Sequence, residues 1–155
     1  MSALETAGGS DPLAGMGLND LVEALRRPLE GEADVLVAYL FGSRSRGAWG
    51  PLSDVDVAVL LRPDSDPWDR RLELLGLVSQ IVGSEKADLV ILNEASVDLG
   101  YRVLRDGVIL VSKDERARIN HWVKTVDRYL DMAPFRQTIA EGLSNRIREG
   151  KFGRR

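Results

Sequence analysis

The stretch DVDVAVLL, residues 54–61, constrains the fold of this chain more than any other part of it. An almost unbroken apolar run of this length is typical of a strand that is covered on both faces of a sheet. The run nevertheless opens with Asp54 and Asp56, and a buried carboxylate is costly unless a cation or a hydrogen-bond donor compensates its charge. The two aspartates therefore predict a site that holds a ligand of its own.

The spacing of these carboxylates predicts a magnesium site. Residues i and i+2 of a strand point to the same side, so Asp54 and Asp56 are expected to project together and to repel each other unless a cation lies between them. Hard oxygen ligands in a tight pair suit Mg²⁺, which also takes water and substrate phosphate oxygens. Asp88, at the head of the apolar run ADLVIL, joins the pair if its strand neighbours theirs. Three carboxylates can hold two magnesium ions, so all three are predicted as catalytic metal ligands.

A Gly-Ser turn precedes the aspartates and predicts a phosphate-binding loop. Gly42 and Ser43 end the preceding apolar run, and ten residues separate them from Asp54. Glycine permits close backbone approach, and the turn can present free amide groups to a phosphate. Ser43 adds a hydroxyl donor, and Arg44 and Arg46 can neutralise further phosphate charge. These four residues are predicted to bind the triphosphate of a nucleotide.

Each of these residues, taken alone, could have a structural role instead of a role in a site. Asp54 alone could cap a turn after Ser53, Asp88 alone could be a strand end that faces water, and loop arginines are common on protein surfaces. The combination of Gly-Ser, a spacer, Asp-x-Asp and a further strand aspartate predicts a functional site.

The amino-acid composition excludes several classes of protein to which the chain could belong. The chain has 155 residues, 44% hydrophobic and 29% charged, as in an ordinary soluble globular domain. It has no cysteine, which excludes a disulfide framework, a thiolate zinc site and a cysteine nucleophile. A net charge of −3 offers no basic field, so no direct nucleic-acid binding is expected. No apolar run approaches the length of a membrane span, so the expectation is a cytoplasmic protein without a membrane partner.

The pattern along the chain predicts one α/β domain. Residues 1–16 are expected to be a disordered segment, residues 17–150 a single domain, and residues 151–155 a basic tail. Asn19 is predicted to cap the first helix and Asp66 the second, whose stripe comprises Leu72, Leu75, Val78, Ile81 and Val82. The strands are predicted at 33–41, 54–61, 86–92 and 108–112, and the later helices at 96–107, 114–132 and 135–148, the last after a break at Pro134. The predicted fold is a small mixed sheet flanked by helices and followed by a pair of helices.

The quoted residues resemble the polymerase-β-like nucleotidyltransferase superfamily. GSRSRGAWGPLSDVDVAVLL is similar to its Gly-Ser, ten-residue spacer and Asp-x-Asp signature, and Asp88 lies where the third carboxylate is expected. Together with the stretch from Leu99 to Asp131, these residues resemble most closely the minimal nucleotidyltransferases, the MntA-type antitoxins encoded beside HEPN-domain toxins.

This resemblance implies an activity, a cofactor and a partner. Such antitoxins transfer AMP from ATP to a tyrosine hydroxyl of their cognate toxin, an RNase, and release pyrophosphate. By that resemblance Asp54, Asp56 and Asp88 would ligate two Mg²⁺ ions, Asp88 would also take the tyrosine proton, and Gly42 and Ser43 would hold the triphosphate. The partner would be a HEPN-domain toxin encoded by a neighbouring gene.

Two rival functions remain open at the level of sequence. The same site serves nucleotidyl transfer to a small-molecule hydroxyl, as in antibiotic modification, although the chain is too short for an added acceptor domain. A non-catalytic antitoxin that only masks its toxin is the other rival, and the complete set of three acids argues against it. The helix at 114–132 carries the stripe Ile119, Trp122, Val123, Val126, Tyr129 and Leu130, which either covers the sheet or helps to dock the toxin.

Overall fold

A mixed four-stranded sheet forms the centre of the molecule. The computed structural model describes residues 15–42, 54–83 and 85–148. The strands are β1 (Val35–Phe41), β2 (Val55–Leu61), β3 (Ala87–Ile91) and β4 (Val108–Ser112). Their order is β3-β2-β1-β4, with β1 antiparallel to β2 and β4 and with β2 parallel to β3. The small mixed sheet predicted from the apolar runs is confirmed.

Helices cover both faces of this sheet. In the part of the chain that the structure describes they are α1 (Leu18–Glu30), α2 (Pro67–Val82), α3 (Val97–Asp106), α4 (Glu115–Asp131) and α5 (Ala133–Arg148), with a short 3₁₀ turn at Leu92–Glu94. None of these described helices is long and apolar enough to cross a membrane.

Side-chain caps explain where three of the helices begin. The Asp66 carboxylate accepts a hydrogen bond from the Trp68 amide at 3.0 Å, and Pro67 occupies the first helical position, as predicted. The Ser96 hydroxyl accepts from the Leu99 amide in the same way at the start of α3. Asp114 caps α4. Each cap satisfies an amide that the first helical turn would otherwise leave without a partner.

Three details of the predicted helices are wrong. The first helix begins at Leu18 with Gly17 in the cap position instead of Asn19, because the Asp20 carboxylate reaches back to the Gly17 amide at 3.3 Å. In α2, Leu72 is 64% exposed and Leu74 is buried in its place. The predicted break between the last two helices lies at Met132 instead of Pro134. Pro134 lies in the first turn of α5, where its missing amide hydrogen costs no helical hydrogen bond.

The sheet separates two apolar cores. Helices α1 and α2 pack on one face, where Leu25, Val57 and Leu89 are completely or almost completely buried. The opposite face packs on α3 and includes Tyr39, Ala58, Leu60, Leu92 and Val103. Asp56 alternates with Ala58 and Leu60 along β2, so its side chain belongs to this second face.

An aromatic and cationic stack joins the last three helices. The rings of Tyr101 in α3 and Tyr129 in α4 lie parallel with their centres 3.7 Å apart. The Arg136 guanidinium of α5 lies 3.6 Å from the centre of the Tyr129 ring, donates to the Tyr129 carbonyl and pairs with Asp98 at 3.4 Å. The beginning of α5 is thereby held against α3 and α4.

Candidate active site

The parallel pairing of β2 and β3 brings two of the predicted carboxylates side by side. Asp56 of β2 is the register partner of Asp88 of β3. Asp54 directly precedes β2 and is exposed, as Asp88 is, whereas Asp56 is half-buried. The condition on which the role of Asp88 depended, that its strand neighbours β2, is therefore met.

Gly42 lies against Asp56, the half-buried member of this pair. It follows Phe41, the β1 residue that pairs with Asp56, and its φ of +80° belongs to the left-handed region that glycine adopts without strain. A Cβ atom at this position would lie 2.3 Å from Asp56 Oδ2. The sequence predicts Gly42 as a point of close approach for phosphate, and the structure adds a second reason for a glycine, which is the space that the Asp56 carboxylate occupies.

The pKa of Asp56 is raised. Burial is the largest cause, followed by the negative charges of Asp88 and Asp54. Within residues 15–42, 54–83 and 85–148, no positively charged side chain lowers this pKa. The half-buried end of β2 thus carries negative charge that the described part of the protein does not compensate.

This donor set fits a hard divalent cation. Carboxylate oxygens are the ligands that Mg²⁺ prefers, and uncompensated charge at Asp56 is what a bound cation would relieve. As the side chains stand, no three of the described acidic or histidine side chains converge into a metal-binding group. Asp88 Oδ1 instead accepts a hydrogen bond from the Leu89 amide at 2.9 Å. The magnesium site therefore stays a prediction, with Asp54, Asp56 and Asp88 as its ligands.

The raised pKa has a consequence for stability that titration can measure. A carboxyl group that binds its proton more tightly in the folded state than at its ordinary pKa of 3.8 favours folding at low pH and opposes it once ionised. In metal-free buffer we expect the free energy of unfolding of the wild type, relative to Asp56→Asn, to decrease as pH rises from 3.8 through the raised pKa. Denaturant titrations of both proteins at a series of pH values measure this difference. If the free energies of unfolding of the two proteins depend on pH in the same way, the raised pKa of Asp56 is contradicted.

Three of the predicted phosphate-binding residues cannot be placed. Ser43, Arg44 and Arg46 lie outside the residues that the structure describes, and so does Trp49 in the same loop. Their roles remain predictions from the sequence.

A group of basic residues on α4 was not predicted from the sequence. His121, Lys124 and Arg128 line one cavity between α4 and the segment that enters α3. Their spacing of three and then four residues is visible in the sequence and places them on one side of a helix. Nothing in the spacing shows that this side faces a cavity, because that depends on how α4 packs.

Comparison with known families gives a match over most of the described chain. The family described as polymerase beta, nucleotidyltransferase matches residues 23–116. The matched span contains Gly42 and the three carboxylates. No curated protein matches the chain.

Solved structures of toxin–antitoxin proteins share this fold. A crystal structure of a toxin-antitoxin with AMP-PNP is 29% identical, with a TM-score of 0.65 over 83% of this chain and 99% of the other. A crystal structure of the toxin-antitoxin MntA-HepT is 28% identical, with a TM-score of 0.59 over 82% and 96%. A structure of tri-AMPylated Shewanella oneidensis HEPN toxin in complex with MNT antitoxin is 28% identical, with a TM-score of 0.60 over 82% and 95%. The resemblance drawn from the sequence is confirmed.

Proposed function

The chain belongs to the polymerase beta nucleotidyltransferase family, and from that premise we propose that it is an antitoxin that transfers AMP from ATP to a tyrosine hydroxyl of a cognate HEPN-domain RNase toxin. The observation that carries the proposal is the in-register pair of Asp56 and Asp88 beside the left-handed Gly42. The similar structures support the donor and the acceptor, since one contains AMP-PNP and another an AMPylated HEPN toxin. The proposal places residues 17–150 in one catalytic domain.

The residues of the site have distinct roles in this proposal. Asp54, Asp56 and Asp88 hold magnesium, and Gly42, Ser43, Arg44 and Arg46 bind the triphosphate. When bound, magnesium would neutralise the charge of the triphosphate and of the departing pyrophosphate. The uncompensated charge around Asp56 is the physical reason for expecting these ions at this edge of the sheet.

The transfer is a single in-line displacement. The tyrosine oxygen forms a bond to the α-phosphorus while the bond from that phosphorus to the bridging oxygen breaks, and pyrophosphate leaves with the bonding electrons. The phenolic proton passes to the exposed Asp88 carboxylate, whose Oδ1 is oriented by the Leu89 amide. No bond between the protein and AMP is needed, so the site requires acids and phosphate-binding groups but no nucleophilic side chain.

The surface of α4 and α5 supports a protein acceptor. Trp122 is 48% exposed, which argues against the alternative in which the whole α4 stripe covers the sheet. Other large apolar side chains exposed on or beside these helices are Ile119, Val123, Leu130, Met132, Phe135, Ile139 and Leu143. We refer to these eight residues as the apolar α4–α5 surface. The proposed occupant is the toxin, because the structures similar to this chain include toxin–antitoxin proteins.

Replacement of Trp122 tests this docking surface. Because Trp122 is half exposed, Trp122→Ala should leave the melting temperature nearly unchanged and weaken toxin binding by more than about 1 kcal/mol. Trp68→Ala is the matched control, since Trp68 is 75% exposed but lies on α2, which packs on the opposite face of the sheet. Calorimetric titration of a catalytically inactive variant with toxin gives the affinities. Equal affinities for the two tryptophan variants would exclude Trp122 from the interface.

Incubation with labelled ATP tests the proposed function itself. The protein, Mg²⁺, ATP labelled on the α-phosphate and the HEPN protein encoded by the neighbouring gene are combined, and RNase activity is followed in parallel. We expect the label on a toxin tyrosine, with loss of RNase activity that depends on ATP. Loss of RNase activity without label would instead favour a masking antitoxin, and label on a small-molecule hydroxyl alone would favour the antibiotic-modifying alternative.

A further inference from the structure

A cavity lined by basic residues lies at the end of the sheet opposite to Asp56 and Asp88. It has a volume of about 190 Å³ and opens between α4 and the segment from the 3₁₀ turn into α3. Leu60 of β2 lines it, four residues beyond Asp56, or roughly 13 Å along an extended strand. The cavity is therefore separate from the carboxylates of the candidate active site.

The floor of the cavity is a fixed element of the fold. Asn93, another lining residue, donates through Nδ2 to the Leu61 carbonyl and accepts through Oδ1 from the Leu61 amide, both at 2.9 Å. Thr125, also in the lining, is buried and donates to the His121 carbonyl at 2.8 Å. These contacts hold the end of β2, the turn after β3 and the middle of α4 in place around the cavity.

Two cations of this lining have no anionic partner in the part of the chain that the structure describes. Lys124 and Arg128 lie one turn apart on α4, where like charges oppose each other. Among the residues that the structure describes, no carboxylate forms an ion pair with either of them, although Asp127 and Asp131 follow them by three residues on the same helix. Asp98, the acid in the first turn of α3, is paired with Arg136. The positive charge at the cavity is thus uncompensated by the described side chains.

His121 completes the basic lining. Its Nδ1 is buried and has no hydrogen-bond partner among the described residues. Burial lowers the pKa of the imidazole, and the charges of Arg128 and Lys124 lower it further. Since no hydrogen bond from the described residues fixes Nδ1, the ring can turn a nitrogen toward a ligand without breaking such a bond. Val97, the first residue of α3, also lines the cavity.

We propose that this cavity is a second anion site, which binds a phosphate group through Lys124, Arg128 and His121. The phosphate is either free or carried by a mononucleotide, since the apolar side chains of Leu60 and Leu92 also line the cavity and could contact a nucleoside. An anion here relieves the repulsion between Lys124 and Arg128 and supplies the missing acceptor for the imidazole. The proposed anion site does not depend on the proposed transferase activity, because none of Asp54, Asp56 and Asp88 lines the cavity.

The single histidine of the chain makes the site directly observable. In ¹⁵N-labelled protein, the imidazole resonances of His121 are followed by NMR during titration with inorganic phosphate, with AMP, and with sodium chloride at matched ionic strength. We expect saturable shifts with phosphate or AMP and none with chloride. Tighter binding of AMP than of phosphate would identify a nucleotide as the ligand, and equal affinities would identify the phosphate group alone.

Variants of α4 separate a built site from general ionic effects. Arg128→Ala and Lys124→Ala should each weaken the apparent affinity about tenfold or more, because each removes a charge-assisted hydrogen bond. Arg116→Ala is the matched control, since Arg116 is an exposed arginine of the same helix that does not line the cavity. All three variants should melt near the wild-type temperature, because the replaced side chains are exposed. An absence of saturable shifts, equal shifts with chloride, or equal losses in Arg116→Ala and Arg128→Ala would overturn the proposal.

Discussion

Asp56→Asn is expected to reduce AMP transfer by about 10³-fold or more, a loss of roughly 4 kcal/mol of transition-state stabilisation, without unfolding the protein. Asp56 is the half-buried member of the in-register pair. Its amide replacement removes a proposed magnesium ligand and also removes the charge whose burial, and whose repulsion by Asp88 and Asp54, raise the pKa of Asp56. The metal-free variant should therefore melt no lower than the wild type. Single-turnover transfer of labelled AMP to the toxin and thermal melts measure the two effects.

Binding of magnesium-ATP provides a readout that does not depend on catalysis. Magnesium-ATP well above its dissociation constant should raise the melting temperature of the wild type and not that of Asp56→Asn, because a ligand stabilises only a fold that binds it. Asp64→Asn is the control, since Asp64 is an exposed acid of the turn that follows β2. Transfer by Asp56→Asn at the rate of Asp64→Asn would remove Asp56 from the proposed site.

The second large effect is expected for Gly42→Ala. The added methyl group would meet Asp56 Oδ2 at 2.3 Å in a backbone conformation with a φ of +80°. The carboxylate has to move, and displacement of a catalytic group by about 1 Å can cost on the order of 10²-fold in rate. The strained backbone should also lower the free energy of unfolding by about 1–3 kcal/mol. Transfer assays below the melting transition separate the loss of rate from the loss of stability.

Gly83 provides the matched control for this substitution. Its φ is +93°, but a Cβ atom at this position would meet no atom of the described residues within 4 Å, its immediate chain neighbours apart. Gly83→Ala should therefore lose stability for the same conformational reason and retain transfer. Equal loss of transfer in the two alanine variants would mean that the effect at Gly42 arises from backbone strain and not from contact with Asp56.

The strands, and the face of β2 on which Asp56 lies, could be predicted because each depends on a short stretch of sequence. The apolar runs that became β1 and β2 are continuous, and alternation along β2 places Asp56 on one face without knowledge of the tertiary fold. The position of Asp88 beside Asp56 could be predicted only on the condition that their strands are neighbours, since no single stretch of sequence determines the order of strands in a sheet. The parallel pairing of β2 with β3 supplied what the pattern could not.

The features that the sequence did not predict arise where two distant elements meet. The contact of Gly42 with Asp56 depends on the register of β1 against β2. The cavity beside Lys124 and Arg128 depends on the rotation of α4 about its own axis, as does the exposure of Trp122. A helical stripe shows which side chains share a side of a helix, but it does not show whether that side meets the sheet, a cavity or solvent.

The separation along the sequence between paired strands determines when the candidate active site can form during synthesis. Asp56 pairs with Asp88, whereas Val37 of β1 pairs with Ser112 of β4, more than twice as far along the chain. Closing a longer loop costs roughly 0.6 kcal/mol more for each doubling of its length, and chains leave the ribosome from the N-terminus. The strands that carry the acid pair therefore emerge and can associate before β4, α4 and α5 have been made. A nascent chain can therefore bring Asp56 and Asp88 together before the residues of the apolar α4–α5 surface have been made.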